Sequence, residues 1–233
     1  MQIAFGIGVF LLSYILGSIP FGWLIVKMKT GQDIRVIESG RTGGTNAMRA
    51  AGFWAGILTA LMDILKGASA VWIGRAILPD AHLLHVLAPI AAILGHNYSI
   101  FLPKRNEQGR IVGLRGGAGG APSVGGAFGL WGASIFIIVP LGALLFFTLG
   151  IASITTMSVA LFAIVIFAIR AWLGLSPWLY VLYGVLAELL LIWALRPNLR
   201  KLFLGQERIV RQSLHGWIKS KRETQQPTHG SAT

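Results

Sequence analysis

A glycine-rich polar segment in the first quarter of the chain combines residue types that bind phosphate. It reads E-S-G-R-T-G-G-T-N-A-M-R from Glu38 to Arg49. Glycines let a backbone turn several N–H groups towards one anion, while hydroxyl, amide and guanidinium groups add donors and positive charge. The alternative is a flexible polar turn whose arginines only mark the inner membrane face. The residues predicted here to contact a phosphate group are Arg35, Ser39, Gly43, Gly44, Thr45, Asn46 and Arg49.

A second segment, G-G-A-G-G from Gly116 to Gly120, comes directly before an apolar run. If it leads into a helix, the N–H groups of the first turn and the helix dipole favour an anion. No Lys-Ser or Lys-Thr pair follows the glycines, which excludes a Walker loop, and the alternative role for the glycines is close packing of membrane helices. His96 is either a donor that faces the ligand or a structural histidine. The predicted contacts are Arg115, Gly116, Gly117, Gly119, Gly120 and His96.

A third polar segment, R-P-N-L-R-K-L-F-L-G-Q-E, runs from Arg196 to Glu207. A stop-transfer cluster of charges explains its basic residues but not Asn198 or Glu207. The residues predicted to orient a polar substrate here are Arg196, Asn198, Lys201 and Glu207. Elsewhere, Asp63 and Lys66 are three residues apart, so on a helix the two side chains meet, and a structural ion pair is predicted rather than a catalytic one.

Several kinds of chemistry are excluded by residues that the chain lacks. With no cysteine there is no thiol nucleophile, no disulfide and no thiolate metal site. The chain contains no recognisable Ser/His/Asp arrangement, and its eight acidic residues are too few for a carboxylate metal cage. We therefore expect no metal and no cofactor.

The elements that position these segments are predicted to lie in a membrane. Of the 233 residues 55% are hydrophobic and 12% are charged, and the mean hydropathy is +0.70, far from the composition of a soluble domain. Twenty Lys and Arg against eight Asp and Glu give a net charge of +12. Because 17 of those 20 cations fall in three blocks between apolar runs, the charge marks inner-face loops, and no nucleic-acid partner is expected.

The apolar runs predict an all-α bundle of about seven transmembrane helices. Residues 116–169 contain no charge, and 54 residues of helix would extend about 80 Å, too long for one or two spans. Since all three basic blocks belong inside, the N-terminus is expected outside and the C-terminus in the cytoplasm. The seven predicted spans are 3–26, 51–77, 81–102, 121–133, 134–149, 153–170 and 172–195. Residues 1–207 form one membrane domain, and residues 208–233 are expected to be a basic, disordered cytoplasmic tail.

The three polar segments together resemble those of the bacterial membrane acyl-phosphate:glycerol-3-phosphate acyltransferases, the PlsY family. That family shows G-S-I-P-x-G, a D-[IL]-R loop followed by glycines and T-N-x-x-R, then L-D-x-x-K-G, G-H-x-[YF]-P and a final R-x-N motif ending in G-x-E. The matching segments are Gly17 to Gly22, Asp33 to Arg35, Ser39 to Arg49, Met62 to Gly67, Gly95 to Ser99 and Arg196 to Glu207. The similarity covers nearly the whole bundle.

The resemblance implies a bacterial multi-pass plasma-membrane enzyme that transfers a fatty acyl group from acyl phosphate to the sn-1 hydroxyl of glycerol 3-phosphate. The product is lysophosphatidic acid, the precursor of phospholipids, and a functional link to the enzyme that makes acyl phosphate follows. Of the family's implicated polar residues Ser39, Arg49 and Asn198 are present, and they are the implied catalytic residues.

This chain departs from the family pattern at several positions. The family's functional lysine is replaced by Ala118, its histidine by Leu195, and one loop asparagine by Arg41. Some ten residues are also inserted before the second glycine segment, and Arg110 and Arg115 are the candidates to replace the lost lysine. The alternatives to an active acyltransferase are a relative that binds phospholipid precursors without turnover and a small anion transporter.

Overall fold

The computed structural model describes residues 1–210 and 213–225, and this part of the chain is helical apart from one β-hairpin. The helices are α1 Gln2–Ser18, α2 Phe21–Thr30, α3 Gly44–Ala51, α4 Phe53–Ile77, α5 His82–Asn97, α6 Gly120–Leu130, α7 Ile135–Leu149, α8 Ala152–Trp172, α9 Leu179–Phe203 and α10 Leu214–Gln225. The hairpin joins β1 Ser99–Arg105 to β2 Ile111–Arg115. Short 3₁₀ turns lie at Ile34–Val36 and Gly132–Ser134.

Five helical stretches of the described chain are long and apolar enough to cross a membrane. They are Gln2–Thr30, Phe53–Ile77, Gly132–Leu149, Ala152–Trp172 and Leu179–Phe203. Two further apolar helices of the bundle, α5 with 16 residues and α6 with 11, are shorter. The prediction of a mostly helical chain with several membrane-length segments is confirmed.

The first span is interrupted at Ile19 and Pro20, between α1 and α2. Proline has no N–H to donate, so the helical hydrogen-bond ladder stops here and leaves carbonyl groups without helical partners. Lys66 of α4 donates from its Nζ to the carbonyl of Ile19 at 3.1 Å. A buried cation on a neighbouring helix therefore stabilises the interruption.

Glycines bring α4 and α6 into close contact at the centre of the bundle. A Cβ on Gly67 would lie 2.2 Å from the carbonyl oxygen of Pro122, and one on Gly125 would lie 2.0 Å from that of Ile64. Neither position admits a larger residue without moving a backbone. Across the same region the Tyr183 hydroxyl of α9 donates to the carbonyl of Ser123 at 2.5 Å, which ties α9 to α6.

The β-hairpin was not predicted from the sequence, which suggested only an insertion before the glycine segment. Its turn closes where Arg110 donates its N–H to the Asn106 side-chain oxygen at 2.9 Å and Gly109 adopts a left-handed φ of +75°. Asn and Gly at these positions favour such a turn. The insertion therefore forms an ordered arm that ends at the second glycine segment.

Part of the expected disordered tail is helical in the structure. Helix α10 follows Ser213, whose side-chain oxygen accepts the N–H of Gly216 at 3.0 Å as an N-terminal cap. Just before it, Val210 donates its N–H to the carbonyl of Gly150 at 2.7 Å, in the predicted turn between α7 and α8. Composition alone contains no information on such a cap or on this contact, and for that reason it predicted disorder. Residues 211–212 and 226–233 of that tail lie outside the described residues.

Candidate active site

A cavity of about 590 Å³ brings together residues from all three polar segments of the sequence. The predicted residues that line it are Ser39, Gly43, Gly44, Thr45, Asn46, Arg49, His96, Gly119, Gly120, Asn198, Lys201 and Glu207. They lie far apart in sequence, so their convergence is a property of the fold. Most of the predicted site residues therefore lie around one cavity.

Part of the lining of this cavity is apolar. Side chains of α7 supply much of it, with Ile138, Val139, Phe146 and Phe147, and Val159 of α8 adds to it. The rest of the lining is rich in hydroxyl, amide and guanidinium groups. The cavity therefore suits a molecule with a charged head and a long apolar chain.

The loop before α3 has its shape fixed by its own side chains. The Asp33 carboxylate accepts the N–H of Arg35 at 2.9 Å and pairs with its guanidinium at 2.6 Å. That guanidinium lowers the pKa of Asp33 from 3.8 to about 2. The buried amide of Asn46 donates towards the carbonyls of Ile37 at 3.0 Å and Arg41 at 2.9 Å. Asn46 was predicted to contact substrate, and its amide hydrogens also hold the loop.

Arg41 was not among the predicted site residues, yet it lies at the centre of a polar network. Its Nη2 donates to the Asn198 side-chain oxygen at 3.0 Å and to the carbonyl of Ala194 at 2.7 Å. The Asn198 amide in turn donates to Glu207 at 2.9 Å. This network ties the first polar segment to the end of α9. A guanidinium in a glycine-rich loop was the sequence signal that could have identified Arg41.

Two arginines that line the cavity keep their charge although they are poorly solvated. Burial lowers the pKa of Arg41 and of Arg49, while the nearby Glu207 carboxylate acts in the opposite direction on both. Arginine starts from so high a pKa that both remain charged at neutral pH. Glu207 thus stabilises the charged form of both arginines.

The second glycine segment packs against the end of α5. Gly117 donates its N–H to the carbonyl of His96 at 2.9 Å, and Thr42 donates its N–H to the carbonyl of Gly116 at 3.3 Å. Gly119 adopts a φ of +92° and is the N-cap residue of α6. The predicted helix start is therefore present, with Gly119 and Gly120 at the cavity, whereas Gly116 and Gly117 serve close packing.

Asp63 and Lys66 form the predicted ion pair, with 2.7 Å between carboxylate oxygen and Nζ. Both are buried, and His96 joins them, its Nδ1 2.9 Å from the Lys66 Nζ. Such a group is held by mutual attraction because each charge alone would be costly in the interior. His96 lines the cavity as predicted, but its imidazole is also part of this buried cluster.

The structure places some predicted residues outside this cavity. Arg196 is exposed and stacks on Trp193, with 3.3 Å from its guanidinium carbon to the ring centroid. It lines neither polar cavity of the described chain, so its predicted role in orienting substrate is not supported. Arg35, Arg115, Gly116 and Gly117 line a second cavity of about 490 Å³. Arg110 and Arg115 were the candidates to replace the charge at Ala118, but neither lines the cavity that contains it.

Comparison with known proteins finds similar chains that match most of this sequence. The family model described as glycerol-3-phosphate acyltransferase matches residues 7–205. A glycerol-3-phosphate acyltransferase of Syntrophomonas wolfei is 35% identical over 201 residues, covering 84% of this chain and 92% of the relative. One of Rubrobacter xylanophilus is 36% identical over 199 residues, covering 85% and 92%.

A solved structure shares the fold. The crystal structure of PlsY (YgiH), an integral membrane glycerol 3-phosphate acyltransferase in its glycerol 3-phosphate form, has a TM-score of 0.73 and 26% identity. The match covers 88% of this chain and 94% of that one. The resemblance seen in the sequence motifs is thus confirmed, and this chain belongs to the glycerol-3-phosphate acyltransferase family of integral membrane proteins, the PlsY family.

Proposed function

We propose that this protein transfers a fatty acyl group from acyl phosphate to the sn-1 hydroxyl of glycerol 3-phosphate, giving lysophosphatidic acid and phosphate. The observation that carries the proposal is the cavity of about 590 Å³, which we name the acyl-transfer cavity, because its lining combines phosphate-binding groups with apolar side chains from α7 and α8. An acyl phosphate has this same division into head and chain. Family membership supports acyl transfer to glycerol 3-phosphate, since the relatives are named glycerol-3-phosphate acyltransferases.

The reaction needs no covalent acyl-enzyme, because acyl phosphate is already activated. The substrate hydroxyl oxygen forms the new ester bond to the acyl carbon, the bond from that carbon to the phosphate oxygen breaks, and the hydroxyl proton passes to a substrate phosphate group. The protein contributes position and charge. Arg49 and Ser39 hold one phosphate, and the N–H groups at the start of α6 hold the other. Asn198, fixed between Arg41 and Glu207, orients glycerol phosphate.

The positive charge that the family places at position 118 comes from other residues here. Ala118 lines the cavity without a charge, and Arg41, Arg49 and Lys201 line that same cavity. Electrostatic stabilisation depends on distance and solvent exclusion and not on which segment supplies the cation. We infer that these three side chains neutralise the substrate phosphates together.

The proposed topology has seven membrane spans, with the N-terminus outside and the C-terminus in the cytoplasm of a bacterial cell. The five membrane-length stretches are joined by the shorter α5 and α6, which pack against α4 in the bundle. The basic loops then share the inner face, where soluble glycerol 3-phosphate arrives. At this face the protein also receives acyl phosphate from the enzyme that makes it.

A second candidate function is binding of phospholipid precursors without turnover. It is favoured by Ala118 and by Leu195, which occupy cavity positions where the family has lysine and histidine. The two functions differ in whether phosphate is released. A non-catalytic relative would bind acyl phosphate but leave its anhydride bond intact.

The deciding experiment measures phosphate release by the purified protein in detergent or lipid, given acyl phosphate with and without glycerol 3-phosphate. We expect release that depends on glycerol 3-phosphate and falls by at least about a hundredfold in Arg49→Ala, since a charge-assisted contact is lost. Arg196→Ala is the matched control, because that arginine lies outside the cavity. A folded protein with no release above a protein-free sample would refute catalysis and leave the binding function.

A further inference from the structure

The second cavity, of about 490 Å³, lies beside the acyl-transfer cavity. Its lining comes from the loop before α3, the end of α5 and both strands of the hairpin. Glu38, Ser39 and Arg41 line both cavities, so they form a shared wall. We call the second space the hairpin cavity.

The hairpin cavity carries an excess of positive charge. Arg41, Lys104 and Arg115 line it, and within the part of the chain that the structure describes none of them forms an ion pair with a carboxylate. The other charged lining residues are matched, because Arg35 pairs with Asp33 and Glu38 pairs with Arg208. Three cations therefore converge on the space, a pattern that attracts a multiply charged anion.

An independent observation also points to a ligand. Asn97 lines the hairpin cavity and its residue is 5% exposed, yet neither its side-chain oxygen nor its nitrogen has a hydrogen-bond partner among the described residues. Buried polar groups are nearly always paired, so an amide left unpaired at a cavity wall needs a partner. The amide nitrogen donates and the amide oxygen accepts. A ligand that satisfies both carries an acceptor oxygen and a hydroxyl.

We propose that the hairpin cavity is a second binding site for a small phosphate-bearing anion. Its phosphate contacts Arg115, Lys104 and Arg41, and its hydroxyl or protonated oxygen reaches the Asn97 amide. The proposal rests on the proposed function, in which two sources supply this chemistry. One is glycerol 3-phosphate on its way to the acyl-transfer cavity past the shared wall. The other is inorganic phosphate released by the reaction.

Neighbouring residues of β1 provide a matched pair of variants. Lys104 and Arg105 are both exposed cations on the hairpin, but Lys104 lines the cavity, whereas Arg105 donates to the carbonyl of Gly109 at the turn. Lys104→Ala and Arg105→Ala therefore remove the same charge from the same strand. Asn97→Asp keeps the shape of the buried side chain but replaces the donor with a group that repels phosphate.

Equilibrium dialysis of the full-length protein with radiolabelled glycerol 3-phosphate and, separately, radiolabelled inorganic phosphate tests the site. With the occupying probe we expect one bound phosphate group per chain beyond those that the acyl-transfer cavity holds. Binding of this additional group should be weakened about fivefold by Lys104→Ala, as for an exposed ion pair, and more by Asn97→Asp, but not by Arg105→Ala. If Lys104→Ala and Asn97→Asp bind both probes as Arg105→Ala does, the proposal is overturned.

Steady-state kinetics distinguish the two sources. If glycerol 3-phosphate is the occupant, Lys104→Ala raises its KM more than it lowers kcat. If inorganic phosphate is the occupant, the same variant instead weakens product inhibition by phosphate and leaves that KM unchanged. Either of these two kinetic results supports the site. An identical KM for glycerol 3-phosphate and identical inhibition by phosphate in Lys104→Ala and Arg105→Ala would contradict it. The dialysis result holds without turnover, so failure of acyl transfer is separable from failure of this site.

Discussion

Gly116→Ala is predicted to disrupt the site from a position that contributes no side chain. A Cβ on Gly116 would lie 2.1 Å from the carbonyl oxygen of His96 and 2.6 Å from that of Asn97. Both are backbone atoms, so no side-chain rotation relieves the overlap. Because real Cβ atoms do not approach other atoms closer than 3.0 Å, the two backbones must separate by about 0.9 Å.

That displacement passes directly to the loop before α3. The Gly116 carbonyl accepts the N–H of Thr42 at 3.3 Å, and the next residue, Gly117, donates to His96 at 2.9 Å. Overpacking of a close contact costs roughly 1–3 kcal/mol of stability. A misplacement of about 1 Å costs about a hundredfold in rate. We therefore expect kcat/KM to fall about a hundredfold, with a smaller loss of thermal stability.

Gly113→Ala is the matched control, since it lies three residues earlier in β2 and a Cβ there meets nothing within 4 Å. The assay is glycerol-3-phosphate-dependent phosphate release, with thermal unfolding of each variant in the same detergent. Gly113→Ala should stay within about twofold of the parent, as expected for an uncrowded surface position. Equal activity of the two variants would refute the conclusion that close packing of Gly116 positions the loop.

Three further substitutions test the surroundings of the site. Asp63→Asn leaves Lys66 buried without its carboxylate and should lower the free energy of unfolding by about 3–5 kcal/mol; a loss below about 1 kcal/mol in denaturant unfolding would contradict the buried ion pair. Asp33→Asn should cost about 1 kcal/mol at pH 7. Because the folded pKa is lowered from 3.8 to about 2, that contribution is complete above pH 3.8 and is lost as pH falls through about 2, so the unfolding curves of variant and parent should converge there. Arg196→Ala should leave the KM for glycerol 3-phosphate within about twofold, because the side chain stacks on Trp193; a tenfold rise in kinetic assays would place Arg196 at the substrate.

Local signals predicted much of the fold. The division of the uncharged run 116–169 followed from its length and from the odd number of spans that inner-face basic loops require. The structure ends α6 at Leu130 and α7 at Leu149, close to the expected boundaries of 133 and 149, although Pro140 lies inside α7 and does not mark a break. The Asp63 and Lys66 pair also followed from helical spacing alone. Such features depend on residues near one another in sequence, which is why composition and spacing were sufficient.

Features that depend on side-chain direction were harder to predict. Arg196 and Asn198 were assigned to one substrate site because they are close in sequence. Successive residues of a helix are about 100° apart, so these two positions of α9 lie about 200° apart and face opposite sides. Asn198 and Lys201, three residues apart, share the cavity face. Helical phase would have excluded Arg196, but only once the extent of α9 up to Phe203 was known.

The position of Arg41 explains how this chain keeps a cation beside the second glycine segment although residue 118 is alanine. Thr42 donates its N–H to the Gly116 carbonyl, and this bond joins two polar segments that are far apart in sequence. Arg41, the neighbour of Thr42, therefore lies close to the segment that contains Ala118. Arg41 and Ala118 consequently line one cavity. The electrostatic stabilisation of a phosphate in this cavity depends on its distance from the cation and on the exclusion of water, and not on which segment of the chain supplies the cation. Because the same guanidinium holds Asn198 in place, Arg41→Ala should remove a positive charge from the cavity and also impair the orientation of Asn198. Ala118→Lys added to Arg41→Ala should restore the positive charge but not the orientation of Asn198.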